Sequence, residues 1–223
     1  MWQPVVDRLD PEIQVISIDL LGFGESPKPD WAEYNAKTQA RSVAATLVGL
    51  KLTRRPVVVG HSLGALVAIE LAKRYPRLIR QLILCSPPLY SHSGKRDRQL
   101  GSLYQYIQSH PEHFTKIFSL ALRYGLITKR PDLTPQNTPT YMASLQASII
   151  NQTSLSDAIK LSVDTRIIHG QLDPLVIKKN LQLITDSNPD ATLDVIMASH
   201  DITGKRYIDH VAKTINLTTK SAR

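Results

Sequence analysis

Two periodicities take turns along this chain. Short apolar runs, rich in valine, isoleucine and leucine, stand at Ile13–Ile18, Pro56–Gly60, Gln81–Cys85, Thr165–Gly170 and Ala191–Met197. Runs of this length, bounded by glycine, proline and charged residues, read as strands. Between them the apolar residues return every third or fourth position. Residues 3–9 read as the end of a short helix. Residues 35–50 carry Ala36, Ala40, Val43, Ala44, Leu47 and Leu50 on one helical face. Leu63 to Arg74 is an apolar helix, and residues 176–186 form another. A last helix runs from about Lys205 to Leu217, with Ile208, Val211, Ala212 and Ile215 aligned. Strand followed by helix, repeated, predicts an α/β fold with a mostly parallel sheet and helices on both faces.

Residues 91–160 break the alternation. Leu100, Leu103, Tyr104 and Ile107 form one helical stripe, Phe114, Ile117, Phe118 and Ala121 a second, and Tyr141, Met142, Leu145 and Ile149 a third, with no strand between them. The pattern predicts one core from residues 1–90 and 161–223, interrupted by a helical insertion over 91–160. No internal repeat and no low-complexity segment is present.

Composition narrows this picture modestly. At 223 residues and 42% hydrophobic the chain can bury one sizeable core. No run approaches the roughly 18 apolar residues of a membrane helix, so no membrane partner is expected. The start, Met1 to Arg8, lacks the basic and apolar regions of a secretory signal. The single cysteine, Cys85, excludes an internal disulfide and reads as a small buried residue. Together these predict a cytoplasmic protein. The net charge is +8, but the basic residues are scattered, in pairs such as Arg54-Arg55 and Lys178-Lys179, without a stripe interleaved with aromatics. That is the pattern of a solvated surface, and no nucleic-acid partner is expected. No metal site is expected, because His-x-x-x-His and Cys-x-x-Cys spacings are missing. Gly22-Phe23-Gly24 lacks the third glycine and the ribose-binding acid of a dinucleotide site, so no cofactor is expected.

The chemistry gathers at Gly60-His61-Ser62-Leu63-Gly64. A β-branched run ends there and an apolar helix begins at once. A serine on so sharp a strand-to-helix corner projects its hydroxyl above the sheet edge. Gly60 and Gly64 are expected where side chains would collide in the turn. The N–H of Leu63, at the helix N-terminus, is placed to face an oxyanion. The other reading is a glycine-rich turn whose serine caps a helix.

With this motif in its strand-turn-helix context, the chain resembles the α/β-hydrolase family from about Trp2 to about Leu217. Asp19-Leu-Leu-Gly22-Phe-Gly24-Glu-Ser26 is similar to the family's loop after its fourth strand, where Asp19 and Ser26 read as loop-shaping. The resemblance implies an α/β-hydrolase fold whose helical insertion caps the site, no cofactor, and a small-molecule substrate. The chain order Ser62, Asp173, His200 is the family's order of nucleophile, acid and base. A serine hydroxyl needs such a base, and the base an orienting carboxylate. Each of the three falls just beyond a predicted strand end, where sites assemble in open α/β sheets. Asp173-Pro174 has a second reading as a turn pair. Cys85-Ser86-Pro87, the family's other location for the acid, carries no carboxylate. His169, His210, His61 and the insertion's His92, His110 and His113 compete with His200, and Asp201 with Asp173. Phe23 and His61 are expected to border the substrate, with packing as the other reading for each.

The function so implied is that of a serine hydrolase on a small carbonyl substrate, most simply a carboxylic ester, through an acyl-enzyme. Carbon–carbon hydrolysis and acyl transfer use the same three residues. A haloalkane dehalogenase is disfavoured, since its nucleophile is an aspartate. The resemblance begins late. Trp2 looks like a tryptophan that in the family follows a His-Gly oxyanion loop, so neither that loop nor the strands before it have counterparts here. The expectation is an N-terminally truncated fold, from a fragment or an internal start. A natural short form and a partner-supplied strand are the other readings. In the family's strand order the lost third strand lies between the runs at 13–18 and 56–60. That would leave an exposed edge open to self-association. The competing function is an inactive or ligand-binding member of the same fold.

Overall fold

A computed structural model describes residues 1–91, 98–99, 102–103, 105–106, 109–110, 113, 116, 119–120, 123, 138–145 and 152–220. Among the described residues four strands form one parallel sheet in the order β1-β2-β3-β4: β1 is Val57–His61, β2 Gln81–Cys85, β3 Thr165–Gly170 and β4 Ala191–Ile196. Val57 pairs with Gln81, Leu82 with Thr165, and Thr165 with Ala191, so the four C-terminal ends finish along one edge. The described helices are α1 (Gln3–Val6), α2 (Ala36–Gly49), α3 (Leu63–Arg74), α4 (Thr138–Leu145), α5 (Ser154–Ile159), α6 (Lys178–Ser187) and α7 (Lys205–Lys220). None of them is long and apolar enough to cross a membrane.

The alternating residues of the strands feed two cores. Leu82, Leu84 and Ile167 face one side, where α2, α3, α5 and α6 bring Ala40, Leu66, Ile69, Leu155 and Leu181. Ile83, Cys85 and Ile168 face the other, against Val5 of α1 and Tyr207, Ile208 and Val211 of α7. Full burial on both faces explains why β2 is apolar at Leu82–Cys85. The helix α3 is buried from Ala65 to Ala72, so it lacks the polar face of a surface helix. The short α1 is fastened to α7: Arg8 Nε donates to Asp209 at 2.8 Å, and Asn216 Nδ2 donates to the Arg8 carbonyl at 3.2 Å.

The strand expected at Ile13–Ile18 does not form. A strand needs a neighbour for its N–H and C=O groups. Among the described residues β1 is the sheet's edge, paired on one side with β2. Residues 13–18 therefore run beside the sheet without joining it, leaving Val15 and Ile16 41% and 38% exposed. The loop after them is held by other means. Gln39 of α2, fully buried, donates its side-chain amide to the Leu21 carbonyl and accepts from the Leu21 N–H, both at 2.8 Å. Asp19 accepts from Glu25 N and its carbonyl from Ser26 Oγ, the loop-shaping parts expected of both residues.

The insertion expected over 91–160 lies largely outside the described residues, including His92, Phe114, Ile117, Phe118 and Ala121. Within it, residues 138–145 are helical as α4, as expected for the start of the third stripe, whose Ile149 lies outside the described residues. The helix α5 buries Leu155 and Ala158 in the core shared with α3 and α6. Residues 154–159 thus pack with the core, ahead of the boundary placed at 160.

Candidate active site

Every group of interest stands where a strand hands over to a loop or helix. At the end of β1 the chain turns into α3 through Ser62, whose φ of 52° and ψ of −119° lie outside the regions a side chain ordinarily allows. The turn is held by Ser62 N donating to the Cys85 carbonyl at 3.0 Å. Gly60 permits the close approach: a Cβ there would lie 2.5 Å from the Gly64 carbonyl oxygen and 2.9 Å from Ala65 Cα. Gly64 differs from expectation, because a Cβ on it would meet nothing within 4 Å. The turn requires Gly60 to be small and needs only the backbone of Gly64.

His200 reaches this corner from the loop after β4. Its Nε2 is 3.1 Å from Ser62 Oγ, and its Nδ1 is 2.7 Å from Asp173 Oδ2. Asp173 sits in the turn after β3, with Oδ1 accepting from Leu175 N at 2.8 Å. Both side chains are buried. Burial is the largest influence on Asp173 and opposes its ionisation. The bonds from His200, the Leu175 N–H and the Ser86 hydroxyl together outweigh it and hold the carboxyl below its ordinary range. An ionised Asp173 fixes the ring: Nδ1–H donates to the carboxylate and Nε2 is left to accept the serine proton. The first N–H groups of α3, Leu63 among them, have no acceptor within the helix and open beside Ser62.

One glycine that sequence reasoning passed over makes room for His200. A Cβ on Gly170, the last residue of β3, would come within 2.5 Å of the Ala198 and Ser199 carbonyl oxygens. Those residues carry the chain up to His200, so β3 must end without a side chain.

The rival histidines are elsewhere or otherwise engaged. His169 is buried in β3, in register with Val195. His210 bonds Asp194 on the outer strand at 2.9 Å. His110 and His113 stack with Tyr106 in the insertion. Asp201 accepts from Thr203 N within its own turn. Phe23 is half-buried at the turn Leu20–Ser26.

His61 is the exception. Its Nε2 lies 2.8 Å from the His200 carbonyl, and the two rings are 5.0 Å apart. Burial, and after it the nearness of His200, lower its pKa to about 4. The ring is therefore neutral, with its proton on Nε2 and donated to the carbonyl. This has a consequence in acid. The unfolded chain takes up the His61 proton near pH 6.5, the folded chain near 4. Stability due to this group is complete above about pH 6.5 and falls as the pH drops toward 4. Between pH 7 and 4.5 the loss should be on the order of 2–3 kcal/mol. Urea denaturation at the two pH values, on the wild type and His61→Asn, measures it; equal losses in both proteins would refute it.

Among the described residues no group of three or more histidine, cysteine, aspartate or glutamate side chains is arranged to hold a metal ion.

Comparison with known proteins bears on the fold. The model of the alpha/beta hydrolase fold matches residues 1–204. Lipase 3 of Moraxella sp. is 24% identical over 95% of this chain and 70% of its own length. The probable lysophospholipase BODYGUARD 1 of Arabidopsis thaliana is 33% identical over 38% of this chain, a stretch that spans 18% of the plant protein. Among solved structures, a thermophilic esterase from Thermogutta terrifontis superposes with a TM-score of 0.75 at 22% identity, over 99% of this chain and 84% of that one. At that identity the likeness speaks for the fold.

Proposed function

The chain belongs to the alpha/beta-hydrolase fold family, and from that premise we propose that it is a serine hydrolase of a small carboxylic ester. The observation that carries the reading is the unbroken relay Ser62 Oγ–His200–Asp173, at 3.1 and 2.7 Å, set on a left-handed corner. Hydrolase chemistry in general is supported by relatives named as lipase and lysophospholipase.

The steps follow from the atoms. Ser62 Oγ attacks the ester carbonyl as its proton passes to His200 Nε2. Asp173 stabilises the resulting imidazolium without taking its proton. The oxyanion faces the Leu63 N–H at the positive end of α3. As the C–O bond breaks, His200 gives the proton to the departing alcohol. Water, deprotonated by the same ring, then attacks the acyl-serine, and His200 returns that proton to Ser62 Oγ as the acid leaves. Phe23 and His61 belong to the pocket wall in this reading, His61 through its bond to the His200 backbone rather than through contact with substrate.

A fluorophosphonate tests it. The folded protein should gain one adduct on Ser62, located by mass spectrometry, and Ser62→Ala should gain none. A folded protein left unmodified would replace this reading with that of a ligand-binding member of the fold.

A further inference from the structure

The insertion leaves the core after β2 and returns before α5, and its two ends are fastened to each other. Pro88, Leu89 and Tyr90 are buried on the way out, and Gln152 is buried on the way back. The Gln152 side chain joins them. Its Nε2 donates to the Pro88 carbonyl at 3.0 Å, and its Oε1 accepts from Tyr90 N at 3.3 Å. Asn180 of α6 donates from Nδ2 to the Leu89 carbonyl at 2.8 Å. These bonds satisfy buried backbone groups that no helix or strand provides for.

The Tyr90 side chain reaches elsewhere. Its Oη donates to the Leu175 carbonyl at 2.7 Å. Leu175 stands two residues after Asp173, and its N–H donates to Asp173 Oδ1 at 2.8 Å. The other carboxylate oxygen, Oδ2, is the one that meets His200 Nδ1 at 2.7 Å. Leu175 is therefore held at both ends of its backbone, by the root of the insertion at its carbonyl and by Asp173 at its N–H. An aspartate carboxylate turns over a broad range about its last bond, so its hydrogen bonds decide where it points. Turning it moves both oxygens together. A donor fixed on Oδ1 thus fixes the Oδ2 that faces His200.

We infer that Tyr90 is a positioning residue that ties the root of the insertion to Asp173 through the backbone of Leu175, and so sets the orientation of the carboxylate that holds His200. The inference rests on the hydrolase reading above. Gln152 acts one step further back, by holding the Tyr90 backbone. A shift of the root reaches the carboxylate along an unbroken path: Gln152 to Tyr90 N, Tyr90 Oη to Leu175, Leu175 N to Asp173.

The test uses Tyr90→Phe, which keeps the ring and removes only the hydroxyl, and Gln152→Met, which keeps the length of the side chain. Fluorophosphonate labelling of Ser62 is followed against reagent concentration, which separates reagent binding from the bond-forming step. Tyr90→Phe should slow the bond-forming step about fivefold, the weight of one neutral hydrogen bond, and leave the half-saturating concentration unchanged. The His200 Nδ1 proton, read by NMR, should move upfield as its bond to a turning carboxylate lengthens, and this readout needs no turnover. Gln152→Met should move rate and resonance in the same directions by less. In the Tyr90→Phe background it should move neither further, since it acts through Tyr90. Circular dichroism is the folding control, and if Gln152→Met does not fold, Tyr90→Phe alone decides. A folded Tyr90→Phe protein with wild-type rate and resonance would make Tyr90 a packing residue and overturn the tie; additive changes in the double variant would overturn it too. If the wild type is not labelled while the Tyr90→Phe resonance moves as stated, the tie stands and the hydrolase reading falls.

Discussion

Ser62→Ala should lower kcat toward an ester such as p-nitrophenyl acetate by about 10⁴- to 10⁶-fold, and Asp173→Asn by about 10⁴-fold. The reasons differ. Alanine removes the oxygen that forms the acyl bond. Asparagine keeps the shape of Asp173 but can present an N–H to His200 Nδ1, which then accepts instead of donating. The proton moves to Nε2, the atom that must take the proton of Ser62 at 3.1 Å. Charge on the ring also loses its partner at 2.7 Å. The double variant should be no slower than Ser62→Ala alone, because residues acting as one unit do not add. Steady-state kinetics on purified protein, with circular dichroism as the folding control, decide it. Either single variant retaining a tenth of wild-type kcat would remove that residue from the mechanism.

Gly60→Ala should lower stability by more than about 4 kcal/mol, in the range reserved for named structural conflicts. The atoms in the way are backbone: the Gly64 carbonyl carbon at 2.7 Å and its oxygen at 2.5 Å, on a helix buried along most of its length. Nothing there can swing aside as a flexible side chain would. For a domain of this size the midpoint of thermal unfolding should fall by about 10 °C or more. Gly64→Ala is the matched control. Its Cβ would meet nothing within 4 Å, and in a helix alanine is better than glycine by roughly 0.5–1 kcal/mol. Two glycines of one motif should therefore melt in opposite directions. If Gly60→Ala melts with the wild type, the tight corner is not as tight as the distances make it.

Most of the sheet was legible because its strands are short apolar runs between clear breakers. Gln81–Cys85 and Thr165–Gly170 were placed to the residue. The three relay residues were legible for a related reason. Each stands just after a strand, and a parallel sheet delivers all its C-terminal ends to one edge. Ile13–Ile18 has the composition of a strand, and the strand expected to be missing lies between it and Pro56–Gly60; without that neighbour the run has nothing to pair with, a consequence its own composition does not show. Gly64 was misjudged because a motif does not say which of its glycines faces backbone. Gly170, Ser86 and Tyr90 were not legible, since their partners lie far along the chain. Tyr90 meets Leu175 across 85 positions, and a serine in a glycine's conformation leaves no mark in composition or spacing.

Ser62 and Ser86 are two of the non-glycine residues in this protein with a positive φ. Both carry hydroxyls into the same small region, and at both the backbone would be easier with glycine. Selection for folding alone would favour that exchange. A lineage released from the chemistry should therefore drift to glycine at Ser62 early, before its core or its sheet changes. A glycine there would identify a relative that keeps the architecture and has given up the reaction.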